Sequence, residues 1–244
     1  MPDTYFGHES VSTDEKKERV NHVFDQVSDV YDSMNDAMSL GIHRLWKRQA
    51  VLSLDCSESD VVADLSCGTG DISQLILPSI PYGKLYCIDP NAKMLEVCKT
   101  RLEKRSNPNI QFVQSSAEAL SLPEKLDKLI VSFGIRNFSD EIKGLERIYQ
   151  SMKAGGKIVI MEFNPPESGA FETQYSIYLK YVIPCLGSLL GQSKSSYQYL
   201  ADSIAMQPTP EQRIKTLESV GFEFIKHTPL TMGVIGLFEC YRCK

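Results

Sequence analysis

The run Val61-Val-Ala-Asp-Leu-Ser-Cys-Gly-Thr-Gly-Asp71 constrains this chain more than any other stretch. Its apolar residues stop at Ser66, two glycines follow, and apolar spacing resumes at Ile72, which predicts a strand, a tight turn and a helix. Gly68 and Gly70 carry no Cβ, so the turn can take positive φ and its backbone can lie against a ligand. A second strand, Lys84–Ile88, runs into Asp89, where a carboxylate can accept hydrogen bonds from both hydroxyls of a ribose. Together they predict a nucleoside cofactor. Gly68-Thr-Gly70-Asp-Ile-Ser73 is one small residue away from the dinucleotide fingerprint, so this stretch alone leaves the choice of cofactor open.

From Val61 onward strands alternate with helices, the pattern of a doubly wound α/β sheet that is mostly parallel. The predicted strands are Val61–Leu65, Lys84–Ile88, Ile110–Gln114, Lys128–Phe133 and Lys157–Glu162. Helices are expected over Asp71–Leu77, Ala92–Lys104 and Glu141–Met152, the last stopped by Ala154-Gly-Gly156. Ligands of such sheets sit at the carboxyl ends of the strands, here Ser66–Gly70, Asp89, Ser115–Glu118, Phe133–Asn137 and Glu162–Asn164.

Ahead of the sheet, Ser12-Thr-Asp-Glu15 is a capping box, and Val20, Val23, Phe24, Val27 and Tyr31 follow at helical spacing. Turn formers over Tyr31–Asp36 interrupt that period before Ile42–Leu54 resumes it, giving an N-terminal cap of two helices in which His43 and Trp46 are packing or surface residues. Beyond the sheet, a Tyr-, Leu- and Ser-rich stretch broken by Pro184 and Gly187 predicts a helical lid. A last helix, Glu211–Ser219, stops at Gly221, and the β-rich runs Phe222–Thr228 and Gly233–Cys243 predict an antiparallel hairpin. The 244 residues divide as a single domain into a cap (12–54), a cofactor-binding core (60–165), a lid (166–205) and a terminal helix with hairpin (206–244).

Composition narrows the function. Hydrophobic residues make up 42% of the chain without an uninterrupted apolar run of about 18, so a soluble protein with a sizeable core is expected. A net charge of -5 argues against a grip on nucleic-acid backbones. Met1–Glu9 lack the apolar core of a signal peptide, which predicts a cytoplasmic protein. Seven cysteines, an odd number, fit reduced thiols, and Cys240-Tyr-Arg-Cys243 has no second pair nearby, so no metal is expected.

Five blocks in order carry a family resemblance: Phe24–Asp36, Met38–Lys47, Asp64–Asp71, Ser132-Phe-Gly-Ile-Arg-Asn137 and Ser196–Ile204. From about Val20 to its end the chain resembles the class I (Rossmann-like) S-adenosylmethionine-dependent methyltransferases, and more narrowly the UbiE family of ubiquinone and menaquinone C-methyltransferases. Ser66-Cys67 stands where that family more often has Ala-Gly, and Ser116 where it often has Asn. The resemblance implies S-adenosyl-L-methionine as cofactor, held by Asp64, Gly68, Thr69, Gly70, Asp89, Ser116, Ala117 and Ser132. It implies a polyprenyl quinol as methyl acceptor, benzoquinol or naphthoquinol, and leaves open a peripheral contact with the inner face of a membrane and a homodimer. A phenolate makes the ring carbon nucleophilic, so the site needs a cation or donor to stabilise it and a route for the proton. Arg136 is expected to stabilise the phenolate, Asn137 to orient the ring oxygen, and Tyr31 or a bound water to relay the proton.

Two other classes compete. Tyr149-Gln-Ser-Met-Lys153 has the Tyr-x-x-x-Lys spacing of short-chain dehydrogenases, but its helix carries both residues toward the start of the fifth strand, away from the ligand edge. A non-catalytic scaffold with a residual cofactor pocket is the other.

Overall fold

The computed structural model describes residues 4–28, 30–103, 109–165, 175, 177, 178 and 194–243, with the main chain alone of 194–197. A short ribbon, β1 (Thr4–Phe6) and β2 (Glu9–Val11), precedes α1 (Thr13–Val27), α2 (Tyr31–Ser39) and α3 (His43–Leu54). The alternating region follows as β3 (Val61–Leu65), α4 (Asp71–Ile76), β4 (Lys84–Asp89), α5 (Ala92–Glu103), β5 (Ile110–Gln114), β6 (Leu126–Ser132), α6 (Glu141–Ser151) and β7 (Met152–Phe163). The chain continues through α7 (Lys194–Ala205), α8 (Pro210–Val220), β8 (Glu223–Leu230) and β9 (Ile235–Tyr241).

Seven strands form one sheet in the order β5-β4-β3-β6-β7-β9-β8. The first five are parallel, and β9 runs antiparallel between β7 and β8, so the expected mostly parallel sheet with a terminal hairpin is what forms. Period-two alternation splits each central strand between two cores. Ala63, Leu65, Leu129 and Val131 pack against α6 and α8 through Leu145, Ile148 and Leu217. Val62, Ile130, Val159 and Met161 face α3, α4 and α5 through Leu54, Ile76 and Cys98. Helices on both faces explain why these strands read as nearly continuous apolar runs.

Strand order reverses between β3 and β6, and their carboxyl ends open a crevice there. The two residues that leave these strands, Ser66 (φ 60°) and Phe133 (φ 56°), both hold left-handed backbone without being glycine. Gly134 packs so closely on this bend that a Cβ there would lie 2.5 Å from Ser66 Cβ. Backbone strain of this kind persists where packing over-determines it, and it clusters at functional crevices.

Two local expectations differ from the structure, and one element goes beyond them. Tyr31–Asp36 is not a break but the start of α2, because Tyr31, Met34, Asn35 and Met38 share one face at helical spacing and that face is covered. α6 ends at Ser151 rather than at the glycines, since Met152 is already extended and paired with Leu126; Gly155 (φ 77°) instead lets β7 bulge before Lys157 pairs with Lys128. The β1–β2 ribbon was not anticipated: its strands are three residues each and pack on both α1 and α7, with Glu9 paired to Arg19 and Phe6 stacked on Tyr199 at 4.1 Å. Most of the expected lid lies outside the described residues, apart from Tyr175, Ile177, Tyr178 and α7.

Gly70 generates the first prediction. It holds φ 86°, and a Cβ there would sit 2.6 Å from Cys98 Sγ. Gly70→Ala is expected to lose about 1–3 kcal/mol of unfolding free energy in urea, and adding Cys98→Ala should recover part of that loss by removing the clash.

Candidate active site

The crevice is organised by one carboxylate. Asp89, the last residue of β4 and 6% exposed, accepts from Gly68 N (2.8 Å) on one oxygen and from Asn91 N (2.9 Å) on the other. Burial pushes its pKa up to about 6, even though both backbone donors favour the charged form. Each oxygen still has a lone pair to offer a hydroxyl. Behind it on β3, Asp64 is held at Oδ2 by Ser73 Oγ (2.6 Å), its Oδ1 has no partner, and burial lifts its pKa to about 7.

The other residues expected at the cofactor side divide. A Cβ on Gly68 would meet nothing within 4 Å except Tyr31 Cε1 at 3.9 Å, so open space lies above this residue. Gly70 differs: the space beside it is filled by Cys98, and its lack of a side chain serves the packing of α5 on the loop. Thr69 Oγ1 donates to Asp32 Oδ1 (2.7 Å) and so points at α2. Ser132 Oγ, at the end of β6, is buried with no partner. Ser116 precedes the 3-10 turn Ala117–Ala119, and Ala117 is buried in the core beside Phe138 and the Cβ side of Gly144.

Three polar fastenings hold the cap over these loops. Asn91 Nδ2 donates to Asn21 Oδ1 and Asp25 Oδ1 on α1, both at 2.8 Å. Asp32 on α2 takes the Thr69 hydroxyl and an ion pair from Arg101. Lys47 on α3 pairs with Asp71 at 2.8 Å, and Arg101 reaches the same carboxylate. None of these contacts joins neighbours in sequence.

Beneath the cap lies a largely apolar pocket of about 940 Å³, including the space at its open mouth. α1, α2 and α3 roof it, α7 closes one side, and Phe133, Arg136, Asn137 and Phe163 form its floor. Tyr31, Arg136 and Asn137, the three residues expected to act on the acceptor, all line it, and the Tyr31 ring also borders Gly68. Arg136 Nη1 donates to Glu162 Oε1 (2.7 Å) and to Phe133 O (2.6 Å), whereas its buried Nε has no partner. Burial opposes the guanidinium charge, but the facing Glu162 outweighs it and holds the pKa above the ordinary arginine value. Asn137 Oδ1 accepts from Tyr199 OH (2.9 Å), which leaves its amide hydrogens to donate; burial pushes the Tyr199 phenol up to about 12.

Sequence reasoning missed the partners. Glu162 was placed only in a pocket loop, yet its position at the carboxyl end of β7 was a signal. Tyr199 stands in the Ser196–Ile204 block, and His43, assigned to packing or the surface, lines the pocket. Asp32 stands in the Phe24–Asp36 block, where nothing marked it as the partner of Thr69. The dehydrogenase reading loses its geometry: Tyr149 packs on Phe222 and Lys153 pairs with Asp127, whose carboxylate accepts from Val61 N at the amino end of β3.

A sequence model of the ubiE/COQ5 methyltransferase family matches residues 12–242. The ubiquinone/menaquinone biosynthesis C-methyltransferase UbiE of Coxiella burnetii is 36% identical over 98% of this chain and 97% of its own length. Its namesake from Escherichia coli O1:K1 is 37% identical over 98% and 96%. Among solved structures, a SAM-dependent methyltransferase of Thermotoga maritima superposes with a TM-score of 0.62 at 17% identity, covering 91% of this chain and 98% of its own. One from Aquifex aeolicus gives 0.59 at 16% identity over 86% and 96%. These two bear on the fold, which they share. Among the described residues no helix is long and apolar enough to cross a membrane.

The buried Asp64 predicts a pH dependence. Its folded pKa lies above the ordinary carboxylate value of 3.8, so the folded state binds the extra proton and stability falls as pH rises from about 4 to about 7. Asp64→Asn removes that charge. Its unfolding free energy should gain on the wild type by a few kcal/mol across this window, and parallel urea titrations at pH 4.5 and pH 7.5 would read the difference.

Proposed function

The chain belongs to the ubiE/COQ5 methyltransferase family, and from that premise we infer how its crevice and pocket divide the work of methylating a quinol ring at carbon. It is an S-adenosylmethionine-dependent C-methyltransferase of menaquinone or ubiquinone biosynthesis. The observation that carries the residue assignment is the meeting of two subsites at Tyr31: a glycine loop with open space above Gly68, and an apolar pocket floored by Arg136 and Asn137.

The residues at the carboxyl ends of β3, β4 and β6 suit S-adenosylmethionine. Asp89 keeps acceptor capacity for the ribose hydroxyls, Ser132 Oγ is a buried hydroxyl lacking a partner, and Gly68 leaves room for close approach. Thr69, Asp64 and the main chain of Ser116 and Ala117 complete the cradle, Thr69 by fastening the loop to α2 and Asp64 by fastening β3 to Ser73 of α4. When bound, the cofactor supplies a methyl carbon made electrophilic by a sulfonium.

The pocket's part is alignment and charge. Apolar walls exclude water and hold a ring at the border with the glycine loop, where orientation contributes most of the rate. The buried Arg136 Nε–H is preorganised toward an oxyanion, with Glu162 and Phe133 O fixing the guanidinium plane. Asn137, held by Tyr199, donates to the ring oxygen, and Tyr31 stands where a proton can be relayed away.

A polyprenyl tail requires a route to lipid. Support for peripheral contact comes from the outer face of the cap, where Leu40 (88% exposed), Leu45 (62%) and Leu52 (73%) stand beside the exposed Arg44 and Arg48. An apolar stripe flanked by arginines suits the surface of an anionic bilayer.

In vitro methylation of a benzoquinol and a naphthoquinol precursor side by side tests the reading, and methyl transfer to neither would overturn it. Asp89→Ala is expected to weaken S-adenosylmethionine binding ten- to a hundredfold by calorimetry, the loss of a charge-assisted bond of ~1.5–3 kcal/mol. Arg136→Ala should lower kcat by about 10²–10³ and leave cofactor affinity unchanged; near-native turnover would remove Arg136 from the site.

A further inference from the structure

The acceptor pocket contains one buried basic nitrogen that the foregoing assignment does not use. His43, the first residue of α3, is 4% exposed and lines the pocket. Its Nε2 lies 2.8 Å from Asp36 Oδ1 on α2. The same carboxylate is gripped by Arg44, through Nε at 2.8 Å and Nη2 at 2.6 Å, and these bonds to Arg44 and His43 keep Asp36 ionised at neutral pH. An ionised carboxylate can only accept, so Nε2 must carry the hydrogen and Nδ1 the lone pair. Nδ1 is buried and has no hydrogen-bond partner. A buried imidazole whose tautomer is set by a carboxylate at one nitrogen is a base at the other.

We propose that His43 is the proton acceptor of the methyl transfer, with Asp36 and Arg44 as the residues that position it. The proposal rests on the quinol reading above. The quinol oxygen gives its proton to Nδ1, and the electron pair released into the ring lets the carbon form its new bond to the methyl group while the carbon–sulfur pair leaves with sulfur. The ring C–H proton then passes to water, which restores aromaticity, and His43 Nδ1 returns its proton to the quinol oxygen, so one proton in all goes to solvent. Burial lowers the His43 pKa below its ordinary value, partly countered by Asp36, so the imidazole is neutral and ready to accept at pH 7. The charged groups bearing on it are Asp36 and its partner Arg44, Lys47 on its own helix and Asp71 at the start of α4. Lys47 and Asp71 pair with each other, which leaves Asp36 as the orienting charge.

Nitrogen-15 NMR of the cofactor-free protein tests the tautomer without turnover. Nδ1 unprotonated and Nε2 protonated at neutral pH is expected, and the reverse tautomer would overturn the proposal even if variants fail to fold. His43→Gln keeps a donor for Asp36 but no basic lone pair. It should retain S-adenosylmethionine and quinol affinity within about twofold while kcat falls by about 10²–10⁴. His43→Ala should regain rate with added imidazole in proportion to the free base. Turnover of His43→Gln within about threefold of the wild type, or a loss in His43→Ala that imidazole does not relieve, would sink the assignment. If the wild type itself methylates no quinol, the function above fails instead, so the two failures are distinguishable.

Discussion

The carboxylate of Asp89 ties together the two loops at the centre of the crevice. One oxygen fixes Gly68 in the turn after β3 and the other fixes Asn91 at the start of α5, so the floor of the crevice is defined by a side chain at its centre. Burial makes this charge costly, as its raised pKa records, and the two backbone donors offset only part of the penalty. A group kept at such cost beside a strained bend at Ser66 is the profile of a site whose ligand completes the hydrogen bonding.

From that floor the rest of the site is assembled by long-range polar contacts. Asn91 continues from Asp89 to α1, Thr69 from the glycine turn to α2, and Asp71 from the start of α4 to α3. The cap is thereby indexed to the carboxyl-end loops of the sheet residue by residue, which sets the roof of the pocket relative to its floor. Such fastenings are individually weak where solvent reaches them, but each also satisfies a side chain that packing has partly buried. Because Asp32 shares its carboxylate between Thr69 and Arg101, a shift of the cap would be felt in the glycine loop.

The pocket keeps its charges paired. Arg136 is matched by Glu162 in the floor, and Asp36 by Arg44 and His43 in the roof. Among the described residues, pairing still leaves the buried Arg136 Nε, a donor, and the buried His43 Nδ1, an acceptor, without partners. An apolar enclosure that holds an unmet donor beside an unmet acceptor suits a phenol that must become a phenolate, because each unmet group is satisfied on one side of the proton transfer.

The sequence by itself determined the sheet, its parallel sense, the terminal hairpin and the family, because period-two burial, glycine turns and short motifs are properties of neighbouring residues. It also located the carboxyl-end loops, including Gly68, Asp89 and Arg136-Asn137, since strand ends follow from strand positions. It misread Tyr31–Asp36 as a turn because polar residues hid a helical face that becomes visible only once a pocket covers it. It could not tell that Gly70 makes room for Cys98 whereas Gly68 leaves open space, nor that His43 meets Asp36 and Asn137 meets Tyr199. Those outcomes belong to tertiary structure: burial and pairing arise between segments brought together by the sheet and the cap, and no local pattern encodes which buried polar atom is left without a partner.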